Sequence, residues 1–194
     1  TPDKAIAETV MKWQEVGFRG FKDRGGKNWR IDNYARTVVK TTTRRVYRQM
    51  RTQPADELGI DTFYYSKKAT AREACAPLQH HIVTYGEARV EGGYSVLSLA
   101  DHGYGTPAGC LGINCGHYLT PFVIGVNDMP DLGDDVKNIT PEDAIRNANA
   151  QAKQRALERS IRDSKEKLHI ANKLGDKDLI DKYKSKIRTQ QGAM

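Results

Sequence analysis

Between His102 and Gly125 the chain reads HGYGTPAGCLGINCGHYLTPFVIG, and here groups able to do chemistry are crowded together. Cys110, Cys115 and His117 offer two thiols and an imidazole, and Cys75, His80, His81 and His102 lie within reach of the same domain. Zinc takes sulfur and imidazole ligands, so several of these groups meeting in space would form a metal site. The linear pattern leaves the choice open, because Cys-x4-Cys-x-His is not a standard zinc spacing. The same residues suit a metal-free loop, with Cys115 as a small core residue and His117 bonded to backbone carbonyls. A Cys–His nucleophile fits worst. Cys115 and His117 are two residues apart, no acid adjoins them to orient the imidazole, and nothing resembles an oxyanion hole.

Other catalytic signatures are missing. The chain has no phosphate-cradling P-loop, no HExxH, no nucleophile elbow and no suggestively spaced carboxylate pair, so it is read as non-enzymatic. Three cysteines make an odd count without a regular framework, which favours reduced thiols or a metal site over disulfides. No apolar run approaches the roughly 20 residues of a membrane span, and the N-terminus lacks the layout of a leader. A soluble protein made in a cytoplasm, with no membrane partner, is expected.

The glycine-rich stretch needs neighbours to position it. Residues 1–19 suggest an amphipathic helix with Ile6, Val10, Trp13 and Val16 on one face, broken by Gly17, Gly20 and the Arg24-Gly25-Gly26 turn. From Trp29, apolar residues recur at helical spacing through Ile31, Tyr34, Val38, Val46 and Met50. That predicts a helix of about 24 residues, capped by Asn28 and ending before Pro54. Three β-prone runs follow: Thr62 to Ser66, His81 to Tyr85, and Tyr118 to Ile124. Pro121 confines the last to a sheet edge. Between the first two, residues 71–80 stop at Pro77 or make one helical turn.

After a linker over 130–138, Thr140-Pro141-Glu142-Asp143 is a strong helix start, with a hydroxyl cap, proline in the first turn and acids facing the dipole. A thin alanine-rich stripe runs from Ile145 to Leu174, predicting a helix of about 33 residues, roughly 50 Å long, with Gly175 as its C-terminal cap. Asp176 opens a second helix with Leu179, Ile180, Tyr183 and Ile187. A stripe this poor in large apolar residues suggests that the hairpin leans on a partner or on another copy of itself. The fold class is therefore α+β, in three regions: N-terminal helices over 1–54, a small central sheet domain over 55–130, and a linker with a basic helical hairpin over 131–194.

Charge follows these divisions. Residues 1–60 carry 13 Lys/Arg against 7 Asp/Glu, residues 61–137 carry 5 against 9, and residues 138–194 carry 13 against 8, giving +7 overall. Two basic arms flank a mildly acidic middle, as expected where arms meet something negative, although well-solvated helices have the same composition. Arg36, Lys40, Arg44, Arg48 and Arg51 on the first long helix, with Arg155, Arg159, Arg162 and Lys165 on the last, are the candidate nucleic-acid surface.

Several blocks also resemble a known family. Asn28 to Tyr34 (NWRIDNY), Val38 to Arg44 (VVKTTTR), Gly103-Tyr104-Gly105-Thr106, Gly112 to His117 (GINCGH), Pro121-Phe122, Gly125-Val126 and the basic run Gln154 to Arg162 resemble, in order, the tailed-phage minor capsid protein 2 family. The family tends to have histidine where this chain has Cys75, an exchange that keeps ligand capacity and joins Cys75 to Cys115 and His117 as one site. Cys110 is a further candidate as fourth ligand. The family tends to place arginine where Gly116 stands, so an anionic contact there does not carry over.

The resemblance implies a structural minor capsid protein of a phage or prophage head, made in the host cytoplasm and residing in the virion. Its implied place is the portal or capsid interior during head assembly, against portal or major capsid protein and packaged double-stranded DNA. The competing readings are a zinc-stabilised nucleic-acid-binding module and a phage-encoded transferase or toxin-type enzyme.

Overall fold

A computed structural model of the chain describes residues 1–18, 20–26 and 28–193. Helix α1 spans Pro2–Glu15, with Thr1 accepting from the Lys4 amide as its cap and proline in its first turn. It is shorter than the expected 1–19; Gly17 lies at φ 77°, and Arg19 falls outside the described residues. A small hairpin that the sequence reading did not foresee follows, β1 (Gly20–Lys22) against β2 (Asn28–Arg30), turning at the Arg24-Gly25-Gly26 stretch. Aromatic rings hold it to the helices: Phe21 packs edge-on to Tyr34 at 4.9 Å, and Trp13 stacks on Tyr34 at 5.8 Å.

Helix α2 spans Ile31–Glu57 and departs from expectation at both ends. Asn28 belongs to β2 rather than capping the helix, and Arg30 holds the cap position without a side-chain bond. The helix also runs through Pro54. Proline there removes one amide bond, and the last turn is retained because Ala55 is buried in the core and its carbonyl accepts from the Ile60 amide at 2.9 Å.

The sheet has five strands in the order β5-β6-β4-β3-β7: β3 (Thr62–Tyr65), β4 (Ile82–Thr84), β5 (Arg89–Glu91), β6 (Tyr94–Ser98) and β7 (Leu119–Pro121). Pairing is antiparallel except for β4 with β6. Every residue of β3 is buried, as an interior strand requires, and Pro121 sits in edge strand β7 as its missing donor demands. One face packs Phe63, Tyr65, Leu78, Val83, Leu99 and Leu119 with Ala55 of α2 and Ala144. The other gathers Tyr64, Ile82, Val96 and Phe122.

A short helix α3 (Asp134–Lys137) interrupts the linker ahead of α4 (Pro141–Leu174). The α4 start forms a capping box, with the Asp143 amide donating to Thr140 Oγ1 at 3.1 Å and the Thr140 amide donating to Asp143 Oδ2 at 3.3 Å. Gly175 closes the helix at φ 69°, and Asp176 caps α5 (Lys177–Gly192). Helix α5 folds back along α4, where Gln190 bonds Ser164 and Ser160, and Ile161, Ala171 and Ile187 are buried. Helix α4 is rooted in the central domain, its Ala144 carbonyl accepting from the Ala71 amide at 3.0 Å. Farther along, Glu166 takes a bidentate pair from Arg30 at 2.8 Å. Thr140→Ala is expected to cost about 1 kcal/mol, the usual value of a hydroxyl cap, measurable as a small drop in the thermal midpoint.

Candidate metal centre

Two irregular segments bring the chemistry together. In the first, a turn closed by the Cys75 amide on the Arg72 carbonyl (2.8 Å) leads into a 3-10 turn over Ala76–Leu78. Cys75 and Gln79 thereby stand at its two ends. The second is the glycine-rich stretch, which winds on itself through close backbone contacts and through Leu111 and Asn114, both at positive φ. Helix α2 pins its far end: Thr41 Oγ1 accepts from the Asn114 amide at 3.3 Å, and Arg44 donates to the carbonyls of Asn114 (3.0 Å) and Cys115 (3.4 Å). His117 follows just before β7, fixed by the Tyr118 amide on Ser66 Oγ at 3.0 Å.

Cys75, Cys115 and His117 meet as the resemblance implies. Their ligand atoms all lie within 4.8 Å of one another, and all three residues are buried. The two Sγ atoms are 3.8 Å apart, and Cys115 Sγ is 3.3 Å from His117 Nδ1. A tetrahedral zinc with Zn–S near 2.3 Å and Zn–N near 2.0 Å has S···S edges of about 3.8 Å and S···N edges of about 3.5 Å. These two edges thus already stand near the lengths the ion requires, and the third, from Cys75 Sγ to the imidazole, lies within 4.8 Å. The outer ring is in place too. Gln79 Oε1 accepts from the Lys68 amide at 2.5 Å and lies 3.1 Å from His117 Nε2. An oxygen there can only accept, so Nε2 carries a ring hydrogen and Nδ1 is the nitrogen left facing Cys115, the orientation that metal-binding histidines are given.

Electrostatics point the same way. The Cys115 thiol is drawn well below the ordinary thiol range, first by the hydrogen bond from Cys75 and then by His117, against the opposing effect of burial. Cys75 is pushed up because it is the donor in that bond and is itself buried. Two sulfurs sharing one proton beside an imidazole make a soft donor set that a d10 cation fits.

Cys110 stands outside the trio. It is fully buried, donates to the Leu99 carbonyl at 3.4 Å, and burial holds its thiol up to about 11. His80 meets the Tyr64 hydroxyl at 3.1 Å, His81 the Gln79 carbonyl at 2.9 Å, and the His102 carbonyl accepts from the Cys110 amide. Tyr65 went unnoticed in the sequence, which offered only its β propensity. Fully buried, it sets its ring 5.0 Å from that of His117.

The two sets of cations fare differently. On α2, Arg36 approaches Asp3 at 3.8 Å and Lys40 is half-buried. Arg44 grips the Cys115 loop as described. Arg48 buries its Nε, and Arg51 donates to Thr120 at 3.2 Å while lying over the Tyr118 ring. Much of that stripe holds α2 to the central domain. On α4, Arg155, Arg159, Arg162 and Lys165 are all exposed and make no ion pair among the described residues. Beside Gly116, the ends of the Lys68 and Arg44 side chains lie 3.4 and 4.0 Å from where a Cβ would stand, in ordinary van der Waals contact.

A family model described as phage minor capsid protein 2 matches residues 1–194. A structural protein of Lactococcus phage LL-H is 36% identical over 195 residues, covering 98% of this chain and 51% of the relative. A structural protein of Lactococcus phage mv4 is 42% identical over 94 residues, covering 48% of this chain and 72% of that relative. The chain thus spans about half the length of the LL-H relative. No solved structure matches it. Among the described residues, no helix is long and apolar enough to cross a membrane.

Proposed function

Because the chain belongs to the phage minor capsid protein 2 family and is a structural component of the phage particle, we propose that it works inside the head. In this reading it acts without enzymatic activity in head assembly, between portal or major capsid protein and the packaged double-stranded DNA. The observation that carries the reading is the row Arg155, Arg159, Arg162 and Lys165. Successive spacings of four, three and three residues keep these cations within one broad face of α4, exposed and without ion pairs among the described residues. A face of unpaired cations on a stiff helix meets phosphates through charge, with no readout of base sequence.

Four phosphate contacts correspond to a slope of about −3.6 in the logarithm of DNA affinity against the logarithm of salt. Arg159→Ala should reduce that slope by about 1 on every DNA sequence. Fluorescence anisotropy across a salt series measures both. Salt-independent association, or none, would turn the face toward a protein partner instead.

The grouping of Cys75, Cys115 and His117, with S···S and S···N spacings close to those around zinc, supports a second element: a zinc ion that staples the central domain. It makes this domain a metal-stabilised platform from which the basic helices project.

A further inference from the structure

We infer that the hydroxyl of Tyr65 belongs to the metal centre: when Cys75, Cys115 and His117 hold zinc, it donates a hydrogen bond to the Cys75 thiolate. The inference rests on the zinc reading of the trio. Tyr65 lies in β3, an interior strand of the sheet, with its amide on the His81 carbonyl and its carbonyl accepting from the His80 amide, both at 3.0 Å. The side chain is fully buried, so neither backbone nor ring has room to redirect it. Its ring packs in the same buried cluster as Cys75 and Cys115 and 5.0 Å from the His117 ring, its hydroxyl is directed at the Cys75 sulfur, and the oxygen has no hydrogen-bond partner of ordinary geometry.

A buried hydroxyl without a partner is a costly feature for a fold to retain. The neighbouring sulfur explains it. A thiol is a weak acceptor, whereas a metal-bound sulfur is a thiolate carrying charge, and a donor to it makes a charge-assisted bond. Metal binding therefore turns a weak acceptor into a charged one. Tyr65 is a positioning residue in this scheme, pairing with Cys75 as Gln79 pairs with His117.

The consequence is a pair of effects with opposite signs. Tyr65→Phe removes only the hydroxyl, so the metal-free protein should melt at the same temperature or higher. Its affinity for Zn2+ should nevertheless fall by about tenfold or more, the scale of losing an outer-shell partner. Cys110→Ser, which keeps a donor for the Leu99 carbonyl, should leave zinc affinity unchanged. The experiment is a competition titration with a chromophoric chelator on the full chain and both variants, with melts of the metal-free and loaded forms.

A spectroscopic readout covers the case in which the variant fails to fold. Adding zinc to the native chain should produce a red-shifted tyrosine difference band as a phenol gains an acceptor. Zinc binding in Tyr65→Phe as tight as in the native protein, or in the native protein without a tyrosine band, would overturn the inference while leaving the zinc reading intact. A native chain that takes up no zinc would overturn both.

Discussion

Removing zinc from the purified chain, or replacing Cys115 with Ser, is expected to unfold the central domain. The ligands join the turn at Cys75 to the segment 115–117, and that segment leads directly into β7, the strand that closes the sheet edge. A structural zinc contributes an apparent ~10 kcal/mol or more to a small domain, which is comparable to the whole stability of a typical fold, about 5–15 kcal/mol. The other possibility, a buried free thiol, would cost only about 1–2 kcal/mol on substitution. Circular dichroism during titration with a strong chelator separates the two, with native mass spectrometry reporting the metal. One zinc per chain and loss of β signal on chelation is the expected result. A metal-free protein that melts cooperatively, with Cys115→Ser only slightly less stable, would reduce the trio to a packed cluster.

Gly109→Ala should be nearly as disruptive, for a steric reason. A Cβ at this position would lie 1.8 Å from the Gly103 carbonyl oxygen and 2.4 Å from its carbon, both backbone atoms that no rotamer change can move aside. The loop would have to open, pulling on the Cys110 amide bonded to the His102 carbonyl and on Arg72, which donates to the Gly109 carbonyl at 3.1 Å. Overpacking against side chains costs about 1–3 kcal/mol, so a clash with backbone should reach about 3 kcal/mol or more. Gly105 is the control. It lies at φ 87° with nothing within 4 Å of a Cβ, so Gly105→Ala should cost only about 1 kcal/mol of backbone strain. Denaturant midpoints of the two variants test the contrast, and equal values would show that the loop is not packed as described.

What could be read beforehand divides by length and by partner. Helix α4 was legible because its start and stop are local chemistry: Thr140, Pro141 and Asp143 at one end, Gly175 at the other. Edge strand β7 was legible through Pro121. The β5–β6 hairpin was not, although Gly92-Gly93 between Glu91 and Tyr94 is a recognisable two-residue turn; its arms are too short and too exposed at β5 for alternation to stand out. The end of α2 lies beyond Pro54, outside what local signals predict, because the burial of Ala55, a tertiary contact, outweighs the local cost of the proline.

At the site, the grouping of Cys75 with Cys115 and His117 came from resemblance, since a ligand 40 residues away leaves no trace in local spacing. Tyr65 and Gln79 were invisible for the same reason. Nothing in the helical spacing of Arg44 and Arg51 distinguishes a solvated cation from one clasping a neighbouring loop.

The proposed place inside the phage head is tested most directly by protease protection. Purified particles of the phage encoding the chain would be treated with protease intact and after opening, with its peptides quantified by mass spectrometry. The chain should be present in particles, survive digestion while they are closed, and be lost once they are opened. Digestion from intact particles would place it on the outer surface and contradict a place inside the head.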